Sequence, residues 1–175
     1  MNSGWVRGAA ALAMIAALAA CNRAPEVNSA DAEANLEAGQ AFLAQNASAE
    51  GVRTLPGGIQ YKVVQSGPAG GESPDSNDLV RVDYEGSLID GSVFDSSYER
   101  GAPAVLNLDQ VVSGWTEALQ HMKAGDEWVI YLPADKGYGD SSRPGIPANS
   151  VLVFRLKLLD IARAPGGGEI GRAHV

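Results

Sequence analysis

Cysteine occurs once in the 175 residues, at Cys21, and histidine twice, at His121 and His174. A single thiol excludes an internal disulfide, and no spaced set of His and Cys is present to cage a metal. His174 lies near the C-terminus, and His121 stands alone on a short helical stretch. Asp135, Asp140 and the glycines near them do not follow the spacing of a calcium loop. Positive charge is also scarce: Lys and Arg number 13 against 21 Asp and Glu, for a net charge of -8 at pH 7. Such a surface is repelled by phosphate backbones and anionic lipid, and no basic cluster offsets it, which argues against a nucleic-acid binder. Nor is there a Ser/His/Asp arrangement suited to nucleophilic catalysis. The apolar run at 9–20 (AAALAMIAALAA) falls short of the ~20 residues that a membrane-spanning helix needs. Glycine and proline, by contrast, are plentiful at 21 and nine, pointing to many turns and short strands.

That apolar run has the form of a signal peptide, with Arg7 before it and small residues at its end. Leu18-Ala19-Ala20-Cys21 resembles a bacterial lipobox, which implies cleavage before Cys21 and lipidation at that residue. An ordinary secretory signal with an incidental cysteine is the alternative. Asn22 after the cysteine resembles the signal for outer-membrane delivery, so the expected location is the periplasm, lipid-anchored at the outer membrane. More than one acyl chain would make such anchoring stable.

Four parts follow along the chain: a leader at 1–20, a tether and short helical arm at 21–50, a domain at 51–163, and a tail at 164–175. Residues 31–47 (DAEANLEAGQAFLAQNA) are helix formers with acids at the start, but Leu36, Phe42 and Leu43 make only a thin apolar stripe. The arm is expected to dock on the domain, to pair weakly with a second copy, or to fray. Strands are expected at 59–64 (IQYKVV), 79–88 (LVRVDYEGSL), around Val93 and Phe94, at 127–132 (EWVIYL) and at 151–159 (VLVFRLKLL). Asp90-Gly91 is a hairpin signal. Residues 115–122 (WTEALQHM) read as a short helix with Trp115, Leu119 and Met122 on one face. These elements give an α+β domain, with the helix covering one face of an antiparallel sheet. The tail (APGGGEIGRAHV) carries no core signal, is expected to be disordered, and ends in EIGRAHV, which resembles a translated sequencing adapter.

Several spaced motifs then line up. Residues 82–86 (VDYEG), 90–97 (DGSVFDSS), Gly114-Trp115, 122–125 (MKAG), 137–147 (GYGDSSRPGIP) and 151–154 (VLVF) resemble, in order, those of FK506-binding proteins. The resemblance covers about 51–162, and residues 42–61 are similar to the upstream arm of bacterial members. It implies a five- to six-stranded antiparallel sheet wrapped on one short helix, and peptidyl-prolyl cis/trans isomerase activity on exported proteins, with no cofactor or metal. It also implies that Trp115 is the floor of a proline pocket. Tyr84, Phe94, Val111, Val112 and Phe154 would form its walls, and Tyr138 and Ile146 would close over the substrate. Asp95 would be the one carboxylate there, with Arg100 as partner, and the Val112 N–H and Tyr138 hydroxyl would meet ligand carbonyls. Expected partners are proline-containing exported polypeptides and FK506/rapamycin-like macrolides, the chain acting as a monomer or as a weak dimer through the arm.

The residue types suit that chemistry. Rotation about an X-Pro bond meets a barrier of ~18–20 kcal/mol because resonance stiffens the C–N bond. The planar amide holds more charge on its oxygen than the twisted one, so removing water favours the twisted form. Taken without the resemblance, Trp115, Tyr84 and Phe94 are ordinary core aromatics, and Asp95 in FDSS is a turn cap. A binding or holdase module with weak catalysis is the rival function. The chain departs from the family pattern at Ala104, where many members have an aromatic, and at Arg143, in a position often held by histidine. The loop is also one residue shorter before Pro147. These departures bear on the residue accepted before proline and on macrolide affinity.

Overall fold

Strand β3 (Leu79–Leu88) organises the sheet, and its alternation is that of a strand with one dry face. Val80, Val82 and Tyr84 are buried while Arg81 and Glu85 face solvent. The computed structural model describes residues 29–165. The expectations for the leader, the Cys21 anchor, the tether to residue 28 and the tail from 166 lie outside the described residues.

Around β3 are β1 (Val52–Thr54), β2 (Gln60–Gln65), β4 (Val93–Ser96), β5 (Ala104–Asn107), β6 (Glu127–Leu132) and β7 (Leu152–Ala162). They form one antiparallel sheet in the order β1-β2-β6-β7-β3-β4, with β5 also on β3. The sheet therefore has seven strands where the sequence suggests five or six. The additions are β1 and β5, edge pieces of three and four residues, too short to show a period of two. β5 pairs with 79–82 and β4 with 85–87, so the two share one edge of β3. A single helical turn, α2 (Ser97–Arg100), makes the step between them.

The floor of the domain is α3 (Ser113–Leu119), which starts two residues before the expected helix and ends three earlier. Its last turn loosens because the chain must reverse into β6. His121 and Met122 donate N–H bonds of 3.0 Å to the carbonyls of Ala118 and Leu119, and the buried Asp126 carboxylate accepts the N–H of Lys123 at 3.0 Å. Trp115, Ala118, Leu119 and Met122 still face the sheet, packed in one cluster with Val82, Ile130, Leu132, Leu156 and Leu158. Burying each such aliphatic chain contributes roughly 1.5–3 kcal/mol.

The arm helix that opens the described chain, α1 (Ser29–Asn46), docks on its own domain. The buried Gln60 amide donates to Leu43 O and accepts from Asn46 Nδ2, both at 2.8 Å, and the Phe42 ring lies 6.0 Å from Tyr131. Among the described residues no helix is long and apolar enough to cross a membrane, and no group of three or more His, Cys, Asp or Glu could hold a metal.

At the far end, the fully buried Asp78 ties the loop before β3 to the chain leaving β7. Its carboxylate accepts from Asp75 N at 2.8 Å, Arg163 Nη1 at 2.7 Å and Ala164 N at 2.9 Å. Burial by itself pushes this carboxyl up, but the two backbone N–H groups and Arg163 more than offset it and hold it below the usual range. A lowered folded-state value means that the stabilisation is complete above the unfolded carboxyl's pKa of about 3.9 and fades as pH falls through the folded one. Asp78→Asn, which turns an amide donor toward existing donors, is expected to cost about 2–3 kcal/mol at neutral pH. Urea unfolding should show that deficit narrowing below about pH 4; a gap independent of pH would contradict the assignment.

Candidate functional site

The concave face of the sheet and α3 enclose a cavity of about 240 Å³. Its base is Trp115, only 4% exposed. Tyr84 of β3 meets the indole edge-to-face, with ring centres 5.0 Å apart at 85°, and Phe154 of β7 does the same at 5.1 Å and 86°. Phe94 of β4 stands at 90° to Phe154, with centres 5.6 Å apart. Such perpendicular contacts set positive ring edges against negative faces and fix all four rings at once. Gly86 makes room for them. It pairs with Phe154 across β3 and β7, and a Cβ there would lie 2.6 Å from Phe154 Cε1 and 2.7 Å from Phe94 Cζ.

The mouth is partly polar. Tyr84 donates its hydroxyl hydrogen to Asp95 Oδ2, and Arg100 donates through Nη1 to Asp95 Oδ1 and through Nη2 to Tyr84 Oη at 2.8 Å. The guanidinium carbon also lies 5.3 Å from the Tyr84 ring centre. Burial pushes the Tyr84 phenol up, and its bond to Asp95 adds to that rise. Arg100 is held more firmly protonated by its bonds to Tyr84 and Asp95. The cap reading of Asp95 does not hold: Ser96 caps α2, its Oγ accepting from Glu99 N, while both Asp95 oxygens are engaged at the pocket.

Of the residues singled out in the sequence, Tyr84, Phe94, Asp95, Val111, Val112, Trp115, Tyr138 and Phe154 all line the cavity. Arg100 stands behind Asp95 rather than on the wall. Ile146 is not among the residues lining the cavity: it is 6% exposed, belongs to the same buried cluster as Trp115 and Phe154, and is bridged to Arg143 by paired backbone bonds of 2.8 and 2.9 Å. Arg143 instead places its guanidinium 5.2 Å from the Tyr138 ring centre. Two wall residues escaped the sequence reading, Leu106 and Gln110. Ala104 is not among the lining residues, whereas Leu106, two positions on along β5, is. The sequence AVLN carries no signal of this, because the outward-facing Val105, 64% exposed, is itself apolar.

With this geometry in place, comparison with known proteins gives the class. The profile described as FKBP-type peptidyl-prolyl cis-trans isomerase matches residues 70–159, and that of the domain amino terminal to FKBP-type peptidyl-prolyl isomerase matches 8–63. The chain belongs to the FKBP-type peptidyl-prolyl isomerase family. It is 48% identical over 130 residues to peptidyl-prolyl cis-trans isomerase Mip of Coxiella burnetii, covering 74% of this chain and 56% of that one. It is 46% identical over 134 residues to outer membrane protein MIP of Legionella longbeachae, covering 76% and 57%. Among solved structures, FkpA from Escherichia coli superposes with a TM-score of 0.74 at 43% identity, covering 78% and 63%. The chain thus spans little more than half the length of these curated relatives.

The polar cluster makes a prediction that does not depend on activity. In NMR titration of ring-labelled tyrosine, Tyr84 should ionise above an ordinary tyrosine. Asp95→Asn should bring it part of the way back, with burial holding the remainder. An unchanged titration in that variant would contradict the Tyr84–Asp95 bond.

Proposed function

We propose that the chain catalyses cis/trans isomerisation of X-Pro bonds in exported polypeptides, and that the Trp115 cavity is the site. The observation that carries this reading is the perpendicular aromatic box over a buried indole, bordering a cavity of about 240 Å³. A proline packed on Trp115, with Tyr84, Phe94 and Phe154 as walls, leaves water behind. Desolvation raises the energy of the planar, charge-separated amide more than that of the twisted one, so rotation speeds up. The Val112 N–H and the Tyr138 hydroxyl are the donors for the substrate carbonyls, fixing the chain on either side of the rotating bond.

Asp95 acts by position. Arg100 and Tyr84 each occupy one of its oxygens, so it holds the Tyr84 ring upright against Trp115 and is not poised to take a proton. Arg143, stacked on Tyr138, steadies the loop side of the mouth. The expected location is the cell envelope, which the printed name of the Legionella longbeachae relative supports. Lipidation at Cys21 is the finer reading, resting on the lipobox. Macrolides of the FK506 and rapamycin type would compete for the same cavity. The chain would act as a monomer or as a weak dimer through the arm.

A protease-free isomerisation assay on a peptide series, varying the residue before proline, tests the reading. Trp115→Leu and Asp95→Ala are each expected to lower kcat/KM about tenfold or more, a loss of about 1.4 kcal/mol in transition-state stabilisation, in proteins that remain folded by circular dichroism. Absence of catalysis by the folded wild type would sink the enzyme reading and leave a proline-peptide-binding or holdase module. Leu106→Phe, which raises one wall, should shift the preference among residues before proline. An unaltered preference would remove Leu106 from substrate choice.

A further inference from the structure

Tyr138 stands on the long loop between β6 and β7, and that loop is tied to α1 at its closing end. Asn35 Nδ2 donates to Ala148 O at 3.1 Å, and Asn149 Nδ2 donates back to Ala32 O at 3.0 Å. The backbone N–H of Asn149 donates to Gly139 O at 2.8 Å, and Gly139 N donates to Ala134 O at 2.7 Å. Asn149 therefore joins the arm, through its side chain, to the residue next to Tyr138, through its main chain. It does so in a left-handed conformation, φ 58°, the one positive φ outside glycine among the described residues. Asparagine tolerates that region better than most residues, and here it aims main-chain and side-chain donors in two directions at once.

The rest of the contact is shallow. Gly39 is the one buried residue of α1, and a Cβ there would lie 2.7 Å from Val151 Cγ2. Beside it a cavity of about 380 Å³ separates Leu36, Gln40 and Leu43 from Pro133, Ala134 and Asp140. The C-terminal end of α1 is held separately, by Gln60 and by Phe42 on Tyr131. The N-terminal half can thus be released from the loop without freeing the helix from the domain.

We propose that α1 is a positioning element of the proline site, with Asn35, Gly39 and Asn149 fixing the loop that presents Tyr138. The proposal rests on the isomerase reading of the Trp115 cavity. Docking of the arm holds the loop in the geometry that closes the mouth, and release of its N-terminal half lets Tyr138 drift. None of the three residues touches substrate; they act through the main chain at 139 and 148–151.

Three variants of the whole chain test this, with amide hydrogen exchange as a readout separate from activity. Gly39→Ala crowds Val151, while Gly39→Ala with Val151→Ala gives the space back. Asn35→Ala with Asn149→Gly removes both side-chain bonds but keeps a residue at ease with positive φ, and it serves if the first variant folds poorly. The expected result is faster exchange at 137–150, unchanged protection in β3 and β7, and a kcat/KM lowered about fivefold. The loss should depend on the residue before proline, and the Gly39→Ala/Val151→Ala pair should restore both readouts. Free exchange in the first half of α1 with the loop still protected would overturn the proposal. So would a loosened loop with kcat/KM unchanged. If the wild type proves inactive, the isomerase reading fails, while the exchange data still decide whether the arm orders the loop.

Discussion

Trp115 is held edge-on by two rings from neighbouring strands, and the site depends on that contact. Tyr84 and Phe154 reach it only because β3 and β7 pair along their full lengths, with Gly86 opposite Phe154. A side chain at 86 would drive Phe94 and Phe154 apart, and a slip of one residue would turn Tyr84 to solvent. Packing and site are therefore the same arrangement seen from two sides: the core aromatics form its wall, and the pocket is where the core stays open.

That identity explains what the sequence could reveal. The patterns at 79–88 and 151–159 locate β3 and β7 because alternate residues of each are buried, whereas 59–64 and 127–132 are legible by their strand-forming composition. The pocket aromatics were legible as core residues by periodicity, and as a site only through the ordered motifs around them. β1 and β5 were not legible, since strands of three and four residues gain their partners from β2 and β3 rather than from their own pattern. Leu106 was hidden for that reason, and Ala104 drew attention in its place.

The polar residues follow a similar logic. Asp95 and Ser96 are neighbours of like turn-forming type, and sequence could not divide the tasks between them. In the fold, strand β4 ends there, Ser96 caps α2, and Asp95 is left facing the mouth with Arg100 one turn away. The arm was ambiguous because its apolar stripe is thin. It docks through asparagine and glutamine amides and one glycine, groups that leave no hydrophobic period to read.

In the proposed mechanism, rotation is accelerated by an apolar, preorganised pocket and involves no proton transfer. Comparing kcat/KM for one proline peptide in H2O and D2O tests it most directly. A ratio close to unity is expected, since no O–H or N–H bond breaks as the amide twists. A ratio well above unity would contradict it, and would mean that a protonated group, with Asp95 or Tyr138 the first to suspect, moves a proton in the rate-limiting step.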